Sequence, residues 1–165
     1  MNQLLQHLIE ALREELKQYG EMLALLDYQQ GLVMHRQAAD LLQSVSAINA
    51  QAETIHAVRR EREQRRRCVA LQVNAAENAA FVVIIPLMPP EYRPLLEALV
   101  QENNELLVRV QQRARQNHLL LSRAVELMQR FMSTLFPGAS PATYNDAGHV
   151  LGAGLQAHAL YDAVG

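Results

Sequence analysis

No glycine occurs between Gly31 and Gly138, no proline precedes Pro86, and none lies between Pro94 and Pro137. A sheet protein needs Gly- or Pro-marked turns at short intervals, so stretches this long without breakers exclude most strand architectures. What fills them agrees. Half of the residues are hydrophobic, mostly Leu and Ala, while only 5% are aromatic and Trp is absent. Helices favour Ala, Leu, Gln, Glu and Arg, whereas strands favour β-branched and aromatic residues. The predicted fold class is all-α: an elongated antiparallel helical hairpin or three-helix coiled-coil-like bundle with a flexible C-terminal tail.

Apolar residues at the start recur every seven positions, with Leu5, Leu12, Tyr19, Leu26 and Val33 in one row and Ile9, Leu16 and Leu23 in a second. That is a coiled-coil-like seam. Glu10, Arg13, Glu14, Glu15 and Lys17 are expected on its solvated side. The helix is expected to weaken near Asp27–Gly31, where Gly costs helix stability, and a break there is left open. A second helix is expected from about Ala38–Asp40, with Leu41, Val45, Ile48, Ala52 and Ile55 at 3–4 spacing. The same row continues as Arg59, Arg62 and Arg66, then Val69 and Val73.

Residues 59–67 hold six arginines and two glutamates. The first reading is a solvated helix face whose arginine stems cover apolar surface. A patch for a protein partner is the second. Nucleic-acid binding is disfavoured, because the run has no base-reading Asn and the chain carries 15 basic against 17 acidic residues, for a net charge of −2. Arg59→Ala, Arg62→Ala and Arg66→Ala are each expected to cost no more than about 1 kcal/mol, as surface changes do.

Phe81-Val82-Val83-Ile84-Ile85, followed by Pro86, Pro89 and Pro90, is the irregular segment. It is either a core segment capping one end of the bundle or, through Phe81, Ile84 and Ile85, a patch for a partner helix. Pro94 fits the first turn of a third helix, where its missing N–H is harmless. That helix runs to about Phe136, roughly 60 Å at about 1.5 Å per residue. Its apolar rows are Leu99, Leu106, Leu120 and Leu127, then Val110, Ala124 and Phe131, then Val100, Leu107, Ala114, Leu121, Met128 and Leu135. Asn103, Arg113 and Asn117 interrupt them, and a buried Asn at such a position fixes register between helices.

The domain boundary is expected at Pro137-Gly138: a body over residues 1–137 that folds without the tail, and a flexible or partner-ordered tail over 138–165. Five of the seven glycines lie in that tail, and Asp146 and Asp162 are its only charged residues, His aside. Tyr144-Asn145-Asp146-Ala147-Gly148 is echoed by Tyr161-Asp162-Ala163-Val164-Gly165. No catalytic constellation emerges. His7, His35, His56, His118, His149 and His158 make no His-x-x-x-His pair, and none adjoins Cys68. One cysteine forms no intrachain disulfide. The expectation is a non-enzyme without cofactor, metal or small-molecule substrate. The start lacks the order of a signal peptide, and the longest apolar run, Ala79–Met88, is far short of a bilayer span, so no stable membrane insertion and a cytoplasmic location are expected.

Three local features, in order, resemble the FlgN family of flagellar export chaperones. Glu21-Met22-Leu23-Ala24-Leu25-Leu26-Asp27-Tyr28-Gln29-Gln30 looks like the family's amino-terminal helix leading to an acidic-or-Gln pair. Arg115-Gln116-Asn117-His118-Leu119-Leu120-Leu121 is similar to its Asn-x-x-Leu-Leu stretch. Ala142-Thr143-Tyr144-Asn145-Asp146-Ala147-Gly148 is similar to its Thr-x-Tyr-x-x-x-Gly tail motif, with the first two positions differing. The resemblance implies a type III secretion chaperone for the hook–filament junction proteins FlgK and FlgL, with a coiled-coil-like body. It implies cargo binding by the C-terminal portion, here Leu151, Leu155, Leu160 and Tyr161. Docking to the export gate protein FlhA would fall to Tyr144 and Gly148. A structural coiled-coil or adaptor component of the export apparatus, with no dedicated cargo, is the alternative. Homodimerisation through exposed rows is left open.

Overall fold

The computed structural model describes residues 2–135. In chain order these form α1 (Asn2–Met34), α2 (Ala38–Gln72), the short α3 (Phe81–Ile84), a 3-10 turn (Ile85–Leu87) and α4 (Arg93–Leu135). No strand occurs among the described residues, and the all-α expectation is borne out. The backbone divides into Met1–His118 and Leu119–Gly165. The expected tail, residues 138–165, lies outside the described residues.

The first helix does not break at Gly31. No atom crowds that position, and a continuous apolar row on either side carries the helix through it. The chain turns instead at residues 35–37. Arg36 adopts the left-handed conformation at φ 58°, the Gln37 N–H donates to the Leu32 carbonyl, and the Arg36 N–H donates to that of Val33. This is a Schellman ending with arginine where glycine is usual. The end of α2 repeats it: Asn74 has φ 56°, and the Ala75 and Asn74 N–H groups donate to the Ala70 and Leu71 carbonyls. The third long helix begins as Pro94 requires, with Arg93 first and proline second.

Two apolar clusters hold Met1–His118 together. One joins Leu5, Leu8, Ile9 and Leu12 of α1 to Val69 and Ala70 of α2, Ile84, Ile85 and Met88 of the connector, and Leu96 and Leu99 of α4. The other packs Tyr19, Met22 and Leu26 against Ile48 and Ile55, with Val110 of α4. Each fully buried aliphatic side chain contributes about 1.5–3 kcal/mol relative to exposure. Ile84 and Ile85 are therefore core residues, and Phe81 packs against the same cluster while half-buried. The partner-patch reading is corrected for Ile84 and Ile85, whose side chains are buried, while Phe81 keeps part of its ring accessible. The helical and 3-10 turns here bury Ile84, Ile85 and Met88 and leave Val82, Val83 and Leu87 exposed.

Side-chain hydrogen bonds give the helix directions. Asn103 Nδ2 donates to the Leu12 carbonyl at 3.0 Å, and Asn117 Nδ2 to the Leu26 carbonyl at 2.7 Å. Both pairs are 91 residues apart in sequence, so this part of α4 runs parallel to α1 in one register. Glu15 meets Arg62, whereas Gln18 meets Gln51 and Gln29 meets Ser44. The first two helices are thus antiparallel.

Candidate functional site

The arginine run is only in part the solvated face its composition implies: Arg60 and Arg67 are exposed, whereas Arg62 and Arg66 turn inward. Glu15, expected in solvent, is buried at 5% side-chain exposure, and Arg62 at 19% donates to it through Nε at 3.0 Å. Tyr19 Oη donates to the same carboxylate at 2.9 Å. Burial, with the Glu15 charge beside it, pushes the Tyr19 hydroxyl well above its ordinary pKa. The Arg62 guanidinium also sits 5.8 Å from the Phe81 ring centroid, within cation–π range. Arg66 is buried too, pairing with Glu63 and donating to the Ala79 carbonyl. The Glu63 carboxyl, held mainly by the Arg66 hydrogen bonds, is pulled down from 4.5 to about 2. A buried charge that loses its partner costs several kcal/mol. The expectation of ready tolerance at Arg62 and Arg66 is accordingly revised.

What these residues do locally is tie three segments together. Arg62 joins α2 to α1, Arg66 joins α2 to the connector at Ala79, and Arg67 reaches Glu77 at 3.8 Å. Further along, Arg113 of α4 pairs with Asp27 of α1 at 2.9 Å. Asn103 and Asn117 are buried as register-fixing residues should be, and each leaves its Oδ1 buried without a hydrogen-bond partner.

From Leu119 onward α4 presents another surface. Leu119, Val125, Leu127, Met128, Phe131, Met132 and Leu135 are all exposed, Leu127 at 65% and Phe131 at 58%. Sequence periodicity had assigned Leu127, Met128, Phe131 and Leu135 to the bundle's apolar rows, and their exposure is a correction. One signal for it is length. A helix of 43 residues cannot be matched along its whole length by partners of 33 and 35. An uncovered apolar surface of this kind is a mark of protein interaction.

Tyr144, Gly148, Leu151, Leu155, Leu160 and Tyr161 lie outside the described residues. Among the described residues, no group of three or more His, Cys, Asp or Glu side chains converges as a metal ion requires. None of the described helices is long and apolar enough to cross a membrane.

Fold and surface together define an all-α bundle protein with a polar inlay in its body and a bare apolar stretch on its longest helix. The family model described as FlgN protein matches residues 1–151. The chain belongs to the FlgN family, which places it among the flagellar export chaperones in the general sense. Comparison with curated proteins and with solved structures returns no match.

Proposed function

We propose that this chain acts in the cytoplasm, without covalent chemistry, as a chaperone for hook-associated proteins of the FlgK/FlgL type. It covers their terminal helices, prevents premature assembly, and delivers them to an export gate protein of the FlhA type. The observation that best supports the reading is the exposed apolar surface of Leu127, Met128 and Phe131 on a regular helix. An amphipathic helix of a client can lay its apolar side against such residues, and no reaction centre is needed. In the same reading Leu151, Leu155, Leu160 and Tyr161 extend the cargo surface, while Tyr144 and Gly148 serve the gate.

A pull-down with purified hook-associated protein tests the proposal. Leu127→Asp combined with Phe131→Asp should reduce cargo recovery at least tenfold while circular dichroism stays helical. Tyr144→Ala should keep cargo and weaken retention of the gate protein's soluble part. Failure of the unaltered chain to recover cargo would favour the adaptor role instead, and unchanged recovery in the double variant and in a truncation at Pro137 would move the cargo surface elsewhere.

A further inference from the structure

A cleft of about 380 Å³ opens between α1, α2, the start of α3 and α4. Leu12, Phe81, Val82, Val100 and Leu107 supply its apolar lining, and Glu15, Tyr19 and Asn103 a polar part. Arg59 and Arg62 stand at its edge. They also line an adjoining shelf of about 460 Å³ with His56, Arg60 and Arg67. This basic rim stands out in a chain of net charge −2.

We infer that this cleft is a second protein-docking site, separate from residues 119–135, and that it takes an acidic amphipathic helix. An apolar side chain of that helix enters the cleft, and its carboxylates meet Arg59 and Arg60. Charge complementarity selects this occupant. Arg62, Arg66 and Arg67 are already neutralised by Glu15, Glu63 and Glu77. Arg59 reaches Glu15 only at 4.0 Å, and among the described residues Arg60 makes no ion pair. The rim therefore offers Arg60 without an ion pair among the described residues, and Arg59 held only by a long contact to Glu15, beside a partly apolar opening. Because Arg62 is locked to Glu15 and stacked near Phe81, the opening is preformed, which lowers the ordering cost of binding. Asn103 adds a buried Oδ1 that accepts no hydrogen bond. Two cations are far fewer than the several phosphate contacts that duplex binding uses.

The test is fluorescence anisotropy of the full chain with a labelled Leu/Glu amphipathic peptide. Arg60→Glu and Val82→Asp alter exposed positions, so both should keep native circular dichroism. Each should weaken peptide binding about tenfold, as expected for charge repulsion at a docking rim. Arg13→Glu, which lines neither cavity and changes net charge equally, should leave binding unchanged. Replacing the peptide's Leu by Ser should abolish it. Absent binding, equal losses in all three variants, or insensitivity to Arg60→Glu and Val82→Asp would overturn the inference. So would tighter binding of a DNA duplex than of the peptide. Cargo recovery through Leu127 and Phe131 is read separately, so either result stands without the other.

Discussion

The two stretches of α4 share one hydrophobic period and meet opposite fates. Up to His118 the helix buries Leu96, Leu99, Asn103, Val110 and Asn117. From Leu119 the same 3–4 spacing continues, yet Leu127, Met128 and Phe131 stay exposed. Periodicity specifies that a helix has an apolar face; it does not specify that anything covers it. In the first stretch the face is also broken by Asn103 and Asn117, whose amide nitrogens donate to α1 carbonyls, whereas the described part of the second has no buried residue at all. The burial of one face serves folding, and the exposure of the other is what the chaperone reading draws on.

The largest expected difference comes from one substitution made in each stretch. Leu99→Asp removes core burial and adds an unpaired charge, and should cost more than about 4 kcal/mol, seen as loss of the cooperative thermal transition. Leu127→Asp should stay within about 0.5 kcal/mol of the parent. A comparable loss at Leu127 would show that the second stretch belongs to the core.

Ion pairs sharpen the same contrast. Arg62→Ala leaves Glu15 buried without its main partner and should cost about 3 kcal/mol in urea unfolding. Arg130→Ala breaks the exposed pair with Glu126 and should change stability by no more than about 0.5 kcal/mol. Acid titration probes the body's network through a different group. The Glu63 carboxyl lies lower when folded, about 2, than its ordinary 4.5. Its contribution is therefore present above pH 4.5 and is lost as the pH falls toward 2. In Glu63→Gln, melting temperature should fall less steeply across that window.

Asn103→Leu should stabilise the body by about 1 kcal/mol, because an unpartnered buried oxygen is removed and the Leu12 and Leu99 carbonyls keep their helical hydrogen bonds. Destabilisation in chemical denaturation would show that the amide is worth more than its orphaned oxygen costs. The smallest effect is expected at the turns. Arg36→Gly should add about 0.5 kcal/mol by relieving a left-handed arginine, and Asn74→Gly less, since asparagine tolerates that conformation.

Much of the helical order was legible in the residues. The rows through Leu5, Leu12, Tyr19 and Leu26, the start of α2 at Ala38, and the entry of α4 at Pro94 follow from spacing and breakers. The continued row Ile48, Ile55, Arg62, Arg66 and Val69 was legible as well, although what its arginines touch was not. For the candidate site the balance is poorer. Apolar character at Leu127 and Phe131 is plain in the sequence, but their exposure is not. Nor is the union of Arg59, Phe81 and Asn103, which lie on three different segments, around one cleft.

Local chemistry determined what the sequence alone could determine. Hydrophobic period, helix propensity and the placement of proline and glycine act over a few residues, and they dictate helices wherever breakers are absent. The tertiary structure decided the rest, because burial depends on what lies opposite. Glu15 is buried because Arg62, 47 residues away, reaches its carboxylate. Helix α1 passes through Gly31 because its packing continues to Leu32, and the turn falls at Arg36, a residue with no local preference for it. Ile84 and Ile85 became core rather than surface because α1, α2 and α4 converge on the connector. Each outcome compares the free energy of a side chain in water with its free energy against a partner, and the partner comes from elsewhere in the chain.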